Sequence, residues 1–324
     1  MKVLLTGAFG NVGKSTIPEL LARGYEVRIF DIDTPENRKY AQKYQDQIDV
    51  VWGDLRSEDD VFKAVNGIDV VIHVAAVIPP LADRNSELAR EVNVGGTENI
   101  LKAMKAQKNY PRIIYTSSIS VYGDRVKTPY IQVTDPVTPN DNDEYAKTKI
   151  SAENLIKNSG VTWAILRLTY IVSPDKLQMD PLMFHMPLET SIEICHTKDV
   201  GLALANAVEN KEIWGETFNI AGGKKCRTTY REYVKRMTEI FGLGSNFLPE
   251  EAFSTGKFHC GFMDTERSQE LLKYQRHTLE DYYKEVENEI GYKKWLTQMV
   301  RWAARLYILS KSEFYRKNTQ KSVL

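Results

Sequence analysis

Three glycines spaced three residues apart, Gly7, Gly10 and Gly13, lie near the start of the chain. They follow a short apolar run at residues 3–5 and precede an apolar helical pattern, which predicts a strand, a glycine-rich turn and a helix. Glycine there allows a tight turn and a close approach of the backbone to a pyrophosphate, and the helix N-terminus offers N–H groups to the phosphates. The predicted dinucleotide contacts in this turn are Gly7, Phe9, Gly10, Asn11, Val12 and Gly13.

An acidic residue follows the next predicted strand. Residues 25–30 predict that strand, and it ends at Asp31, eighteen residues after Gly13. A carboxylate at this point accepts hydrogen bonds from the adenosine ribose and repels a 2′-phosphate, so the pattern favours NAD over NADP. One alternative is a glycine turn without a ligand. A phosphate-binding P-loop, suggested by the Gly13-Lys14-Ser15 sequence, is disfavoured because its first glycine would fall on Ala8.

Composition excludes several classes of protein. The 324 residues contain 43 basic and 43 acidic side chains, so overall charge does not favour a nucleic-acid partner. The three cysteines are far apart, odd in number and without a CxxC pair, which suits a reducing compartment without disulfides or a metal site. The chain shows neither a signal-peptide pattern nor eighteen consecutive apolar residues. A cytoplasmic location is therefore expected.

Strand and helix patterns alternate over the first two thirds of the chain. Further strands are predicted at residues 48–52, 69–73, 112–116, 161–167 and 216–220, and helices at 35–47, 82–107, 144–158 and 199–209. This alternation predicts an α/β fold, a doubly wound parallel sheet of the Rossmann type, followed by a mostly helical region. We expect an NAD-binding domain of residues 1–172 and 196–222, and a smaller substrate domain of 173–195 and 223–324.

Polar and small residues follow two of these strands. Asp54 comes after the strand at 48–52, and it either contacts the adenine amine or begins the next helix, with Ser57 as the N-cap. His73 ends the next strand and is interpreted as a packed histidine under the cofactor rather than as a catalytic acid or base. The small residues after it, at 74–76, let a flat cofactor pass close. Asn93 is unfavourable inside a helix, which indicates a role for its amide unless it lies on the surface.

A tyrosine and a lysine four residues apart form the candidate catalytic pair. Tyr145 and Lys149 project from one helix face, and a neighbouring ammonium is expected to lower the tyrosine pKa. Tyr145 then exchanges a proton with a substrate oxygen during hydride transfer, and Ser118 hydrogen-bonds the same oxygen. Lys149 also suits the nicotinamide ribose. A second copy of this spacing, Tyr307 to Lys311, has no strand-end serine before it and is interpreted as chance.

Taken together, these segments resemble the extended short-chain dehydrogenase/reductases of the NAD-dependent epimerase/dehydratase family. The matching segments are TGAFGNVG (6–13), Asp31, GDL (53–55), HVAA (73–76), VNVGGTENIL (92–101), TSSISVYG (116–123), YAKTK (145–149), ILR (165–167), HTKDVGLAL (196–204) and ETFNIAGG (216–223). The resemblance implies the roles given above for Ser118, Tyr145 and Lys149, and a homodimer. It also implies a cofactor role for Asn93 and Ser117. The other expected cofactor contacts are Asp54, Leu55, Val74, Ala75, Ala76, Tyr145 and Lys149.

Two departures from the family bear on the substrate. Members that act on nucleotide sugars usually carry an Asn where this chain has Tyr170, and they carry a longer insertion than residues 175–194. The acidic pair that follows the serine in dehydratases is also missing here, because residues 119–122 are Ile-Ser-Val-Tyr. Residues 181–186 are largely apolar, which suits either a pocket wall or simple packing. The residues concerned are Pro181, Leu182, Met183, Phe184 and Met186.

Three functions remain open from the sequence. The first is an NAD-dependent oxidoreductase that interconverts an alcohol and a ketone on a small or apolar substrate. The second is a sugar or nucleotide-sugar epimerase whose bound NAD removes a hydride and returns it to the same carbon. The third is an NAD-sensing protein without catalysis, which the Ser118, Tyr145 and Lys149 set disfavours.

The end of the chain is strongly basic. Residues 291–324 contain eight Lys or Arg and one acidic residue, Glu313. Large apolar residues recur there at helical spacing, at Trp295, Met299, Trp302, Leu306 and Leu309. This pattern predicts a basic amphipathic helix that lies on an anionic membrane surface or a partner. The alternative is a helix packed on its own protein or on a dimer mate.

Overall fold

Seven parallel strands form the central sheet. The computed structural model describes residues 1–175, 177 and 181–321. Its strands are β1 Lys2–Thr6, β2 Glu26–Asp31, β3 Ile48–Trp52, β4 Val70–His73, β5 Arg112–Ser118, β6 Tyr130–Ile131, β7 Trp163–Leu168, β8 Tyr170–Val172, β9 Ser191–His196, β10 Thr217–Ile220, β11 Arg227–Thr229 and β12 Phe262–Met263. The sheet order is β3-β2-β1-β4-β5-β7-β10. This order reverses direction between β1 and β4, which confirms the predicted doubly wound sheet.

Helices cover both faces of this sheet. The helices of the described residues, both those on the sheet and those beyond it, are α1 Asn11–Ala22, α2 Pro35–Ala41, α3 Glu58–Val65, α4 Leu81–Arg84, α5 Ser86–Arg90, α6 Gly96–Lys105, α7 Glu144–Lys157, α8 Thr197–Ala207, α9 Tyr230–Ile240, α10 Glu266–Leu272, α11 Leu279–Ile290, α12 Lys293–Met299, α13 Arg301–Lys311 and α14 Glu313–Lys321. One buried cluster lies between the sheet and helices α1 and α8, and another lies between the sheet and helices α3 and α6. Strands buried on both faces read as continuous apolar runs, which is why their positions were predictable.

The helix predicted at residues 82–107 is wrong as a single element. It divides into α4, α5, a wide π-helical turn at Glu91–Gly95, and α6. The Asn85 side chain caps α5 by accepting a hydrogen bond from the Leu88 N–H at 3.0 Å. Asn93 in the wide turn bonds to the backbone of another segment. Tertiary hydrogen bonds therefore override the helical periodicity.

A second apolar core lies outside the main sheet. Strands β8, β9 and β11 form a three-stranded sheet, and β6 pairs with β12. The sequence analysis predicts none of these five short strands. Segments of two to six residues have little periodicity, and these strands pair with distant partners. The core against this sheet includes Tyr230, Phe247, Phe253 and Val286. The division into two domains remains a prediction.

Residues 293–321 form three helices rather than the one expected. Helices α12 and α13 meet at Val300, and α13 and α14 are separated by Ser312, whose buried hydroxyl donates to the Ala252 carbonyl at 2.6 Å. Residues 322–324 lie outside the described part of the chain. Within the described residues, every helix is too short or too polar to cross a bilayer.

Candidate active site

The glycine-rich turn packs tightly against the segment after β4. Gly7 has a φ of +65°, and a Cβ there would lie 2.6 Å from the Ala75 Cα. A Cβ on Gly13 would lie 2.4 Å from the Gly7 carbonyl oxygen. Gly10 is the N-cap of α1 and offers no side-chain acceptor to the first-turn N–H groups. Gly7 and Gly13 therefore let the turn pack closely on neighbouring backbone, and the N–H groups at the N-terminus of α1 fit a bound pyrophosphate.

Asp31 lies at the end of β2 beside this turn. Its Oδ2 accepts a hydrogen bond from the Phe9 N–H, and its Oδ1 accepts one from the Ile32 N–H, both at 2.9 Å. Burial raises the pKa of Asp31, and the two backbone hydrogen bonds oppose that rise. Phe9 is buried, with its ring 5.6 Å from that of Trp52. The structure therefore brings the predicted carboxylate and the glycine turn together.

The segment after β3 begins a helix, as one of the two sequence interpretations stated. The Ser57 hydroxyl accepts a hydrogen bond from the Asp60 N–H at 3.3 Å and caps α3. Asp54 pairs with Arg56 at 2.6 Å, and the hydrogen bonds from Arg56 hold the Asp54 pKa below its usual range. Leu55 is buried against Gly96. The adenine contact of Asp54 stays a prediction.

His73 is a packed histidine, as expected. Its Nδ1 lies 2.7 Å from the Thr6 hydroxyl and its Nε2 lies 3.1 Å from the Thr97 hydroxyl. Complete burial lowers the pKa of His73 to about 3, so the ring is neutral at physiological pH. The ring therefore ties β1 and β4 to α6. The small residues after it meet the glycine turn through Ala75, whose N–H donates to Thr6 at 3.3 Å.

Asn93 is buried, so the alternative of a surface asparagine is wrong. Its amide accepts from the Val77 N–H at 2.7 Å and donates to the Val77 carbonyl at 2.9 Å. The same amide donates to the Thr148 hydroxyl at 3.0 Å. Asn93 thus fixes the segment after β4 against helix α7. A cofactor contact at Asn93 stays a prediction, as do the contacts at Val74 and Ala76.

The candidate catalytic side chains meet where β5 ends and α7 begins. Asp143 caps α7 by accepting from the Ala146 N–H at 2.8 Å, and this fixes the first turn, which carries Tyr145. Tyr145 and Ser118 line the same cavity, whose volume is about 990 Å³. The buried Lys149 amino group donates to the Thr116 carbonyl at 2.8 Å and lies 5.7 Å from the centre of the Tyr145 ring.

The expected lowering of the tyrosine pKa is wrong for the unliganded chain. Burial raises the pKa of Tyr145, and the hydrogen bond with Ser118 offsets only part of the rise. The Lys149 amino group donates to the Thr116 carbonyl and lies 5.7 Å from the centre of the Tyr145 ring. Burial also lowers the pKa of Lys149 to about 7. Desolvation is therefore the largest effect on the pKa of each group.

The lowered lysine pKa has a measurable consequence for stability. The unfolded chain keeps Lys149 protonated up to a pKa of about 10.4, whereas the folded chain releases this proton near pH 7. Between these values the unfolded state binds more protons, so the free energy of unfolding rises with pH relative to Lys149→Met. Urea unfolding of both proteins from pH 6 to pH 10 should show a growing difference. A difference in the free energy of unfolding that stays constant across this pH range would contradict the prediction.

The sequence analysis missed a buried ion pair that joins strand β7 to helix α7, the helix that carries Tyr145 and Lys149. Arg167 at the end of β7 donates to Glu153 from Nε at 2.9 Å and from Nη2 at 2.7 Å. Arg167 Nη1 also donates to the Tyr122 hydroxyl at 2.8 Å. Glu153 lies four residues after Lys149 and eight residues after Tyr145. It therefore shares a helix face with these two residues, and this spacing is the signal that could have identified it. The Ser117 hydroxyl lies near the Glu153 carboxylate.

The walls of the cavity are mainly aromatic and apolar. The aromatic lining residues are Tyr145, Tyr170, Tyr230, Tyr233, Phe241, Phe258 and Tyr282. Leu182, Met183 and Met186 also line the cavity, as one of the two interpretations of that segment expected. Phe184 instead packs 5.3 Å from Phe253 in the second core. The sequence singled out Tyr170 but not Tyr230, Tyr233 and Tyr282, which come from α9 and α11. The second Tyr-Lys pair lies on the exposed surface of α13.

Comparisons with known proteins agree with this geometry. The profile of the 3-beta hydroxysteroid dehydrogenase/isomerase family matches residues 4–164. Over 160 residues the chain is 36% identical to a Mycobacterium tuberculosis protein named 3 beta-hydroxysteroid dehydrogenase/Delta 5→4-isomerase, covering 48% of this chain and 42% of the relative. It is 33% identical over 154 residues to the human sterol-4-alpha-carboxylate 3-dehydrogenase, decarboxylating, covering 46% and 38%. The chain thus spans well under half the length of these relatives.

Solved structures share the fold over nearly the whole chain. A UDP-glucuronic acid 4-epimerase from Bacillus cereus, solved with UDP-glucuronic acid and NAD, superposes with a TM-score of 0.75 at 24% identity, covering 90% of this chain and 99% of that one. An Agrobacterium tumefaciens short-chain dehydrogenase/reductase superfamily protein with bound NAD gives 0.72 at 19% identity, covering 93% and 100%. These structures show the shared fold, and the family profile assigns residues 4–164, which include the glycine turn, to the extended short-chain dehydrogenase/reductases.

Proposed function

We propose that this protein is an NAD-dependent dehydrogenase that interconverts a secondary alcohol and a ketone on a bulky apolar substrate. The observation that carries the proposal is the position of the Tyr145 and Ser118 side chains on the wall of a large cavity lined mainly by aromatic and apolar groups. Apolar walls with a few convergent polar groups are typical of sites for small apolar molecules. The relatives named for steroid and sterol dehydrogenation support the same substrate class.

NAD is the proposed cofactor, and its nicotinamide supplies the hydride acceptor or donor when bound. The glycine turn holds the pyrophosphate through the N-terminus of α1, and Asp31 accepts hydrogen bonds from the adenosine ribose. The Tyr145 hydroxyl, which is protonated at its raised pKa, gives its proton to the substrate oxygen in reduction. In oxidation the phenolate form of Tyr145 takes that proton back, and Ser118 hydrogen-bonds the same oxygen. Lys149 retains donors beyond its bond to Thr116, and these suit the nicotinamide ribose.

A nucleotide sugar fits the cavity walls less well. Its diphosphate calls for arginine or lysine partners, and among the described lining residues Lys257 is the one lysine or arginine. Tyr170 lies on the wall with its ring edge-on to Tyr233. Aromatic faces at this point suit a fused hydrocarbon ring system. The dehydrogenase is therefore preferred to the epimerase, which remains the alternative.

The cofactor content of freshly purified protein tests the proposal. We expect NAD to bind reversibly and a panel of sterols and other cyclic secondary alcohols to reduce it to NADH. The control panel is a set of nucleotide sugars. Protein that retains stoichiometric NAD through purification, reduces none of it with the alcohols and epimerises a nucleotide sugar would contradict the dehydrogenase. A homodimer and a cytoplasmic location remain predictions.

Asp31 is expected to set the preference for NAD. The wild-type protein should prefer NAD to NADP by at least about 100-fold in kcat/KM, because the carboxylate opposes a 2′-phosphate at close range. Asp31→Ser should lower that preference by about tenfold or more, mainly by improving use of NADP. Asp49→Ser is the matched control, since that exposed strand carboxylate pairs with Arg28. Equal cofactor preference in wild type and Asp31→Ser would refute this role.

A further inference from the structure

The last helices present large apolar side chains to solvent. We call the set Trp295, Leu296, Met299, Val300, Trp302 and Leu306, on helices α12 and α13, the C-terminal apolar patch. The two tryptophans are 64% and 72% exposed, and each of the other four is 48% exposed or more. Six large exposed apolar residues within twelve positions of the chain indicate an interaction site.

The opposite side of the same helices is anchored on the protein. Thr297 donates to the Phe241 carbonyl, and Arg305 donates to the Phe247 carbonyl at 2.8 Å. Ile308 and Leu309 are buried in the second core. The helices are therefore already packed on one side, and the apolar patch is a second apolar face. Internal packing, the alternative left open by the sequence, accounts for Leu309 but not for the two tryptophans.

Charge separates this segment from the rest of the chain. Residues 291–324 carry eight basic and one acidic side chain, whereas residues 1–290 carry 35 basic and 42 acidic ones. Lys293 and Arg301 are exposed beside the patch. A neutral protein therefore has one strongly basic end next to its exposed tryptophans. Such a surface is attracted to an anionic partner in one orientation.

We propose that the C-terminal apolar patch docks on the surface of an anionic lipid bilayer. Tryptophan and leucine side chains insert at the boundary between headgroups and acyl chains, while flanking lysines and arginines contact the acidic headgroups. A second copy of the chain is disfavoured as the occupant. A two-fold dimer through this patch would bring two basic segments face to face, because each subunit contributes the same surface.

The helix that carries part of the patch also contacts a wall of the candidate active-site cavity. Phe241 lines that cavity, and the Phe241 carbonyl accepts the hydrogen bond from Thr297 on the anchored side of α12. A bilayer at the patch is therefore separated from this cavity wall by helix α12. This suits an apolar substrate that partitions into lipid, a consequence that rests on the proposed function. Docking itself requires neither cofactor nor turnover, so the two proposals fail independently.

Co-sedimentation of the full chain with vesicles tests the docking. Vesicles of phosphatidylcholine with phosphatidylserine should bind at least about tenfold more protein than vesicles of phosphatidylcholine alone, and added salt should weaken the binding. Trp295→Ser/Trp302→Ser and Lys293→Glu/Arg301→Glu should each reduce binding about tenfold or more. The matched controls are Tyr110→Ser and Lys105→Glu/Lys108→Glu, which change exposed residues far along the chain and should bind as wild type.

Tryptophan emission gives a second readout. A shift to shorter wavelength on addition of anionic vesicles is expected in the wild type and not in the double tryptophan variant. Absence of binding to anionic vesicles overturns the proposal, as does equal binding by wild type and both patch variants. A different outcome is a dimer, detected by light scattering, that Trp295→Ser/Trp302→Ser separates into monomers. Such a dimer, together with an absence of vesicle binding, would assign the patch to a second copy of the chain instead.

Discussion

Tyr145→Phe is expected to lower kcat by about 10²- to 10⁴-fold and to leave NAD affinity nearly unchanged. The change removes the hydroxyl that exchanges a proton with the substrate oxygen and keeps the ring that lines the cavity. Ser118 still contacts the substrate oxygen, but as a hydrogen-bonding group rather than as the proton donor. The measurement is steady-state turnover with the best alcohol of the panel, together with a titration of NAD binding.

The second tyrosine–lysine pair offers a matched control. Tyr307→Phe removes a hydroxyl from the same spacing, on the exposed surface of α13, and should leave turnover unchanged. Turnover near that of wild type in Tyr145→Phe would refute the mechanism. A parallel loss of NAD binding in that variant would instead show that Tyr145 acts through the cofactor site.

Arg167→Met should lower the free energy of unfolding by about 3–5 kcal/mol. Both partners of the Arg167–Glu153 pair are 3% exposed, so the substitution leaves a carboxylate buried without its two strongest donors. Tyr122 also loses the donor that contacts its hydroxyl. Lys157, 3.1 Å from Glu153, compensates only in part because it lies nearer the surface. Urea unfolding monitored by circular dichroism measures the loss.

A double variant separates charge burial from packing. Arg167→Met/Glu153→Leu removes both charges and should recover much of the stability lost by Arg167→Met alone. Arg38→Met breaks an exposed pair with Asp33 and should have little effect. If Arg167→Met is no less stable than Arg38→Met, the buried pair does not hold β7 and α7 together as described.

Parts of the site were predictable because their signals are local. The glycine turn needs three glycines within seven residues, and Asp31 follows at the end of the next apolar run. Tyr145 and Lys149 share a helix face through a four-residue spacing. The alternation of apolar runs and helical patterns gave the doubly wound sheet. Each of these depends on residues close together in the chain.

Other features depend on segments that meet only after folding. Asn93 lies in the π-helical turn between α5 and α6, where Val77 and Thr148, from elsewhere in the chain, satisfy its amide. The cavity wall combines tyrosines from three elements that no sequence spacing relates. Glu153 was on the predicted face of α7, but its importance depends on Arg167 from β7.

The sequence by itself determined the order of the central-sheet strands, the glycine turn for a dinucleotide and the choice of candidate catalytic residues. Tertiary structure decided the protonation of Tyr145 and the exposure of the tryptophans at Trp295 and Trp302. Proton affinity depends on how much water the surrounding protein removes, and exposure depends on which helix face the core has already occupied. Both are set by contacts between distant parts of the chain, which periodicity does not encode.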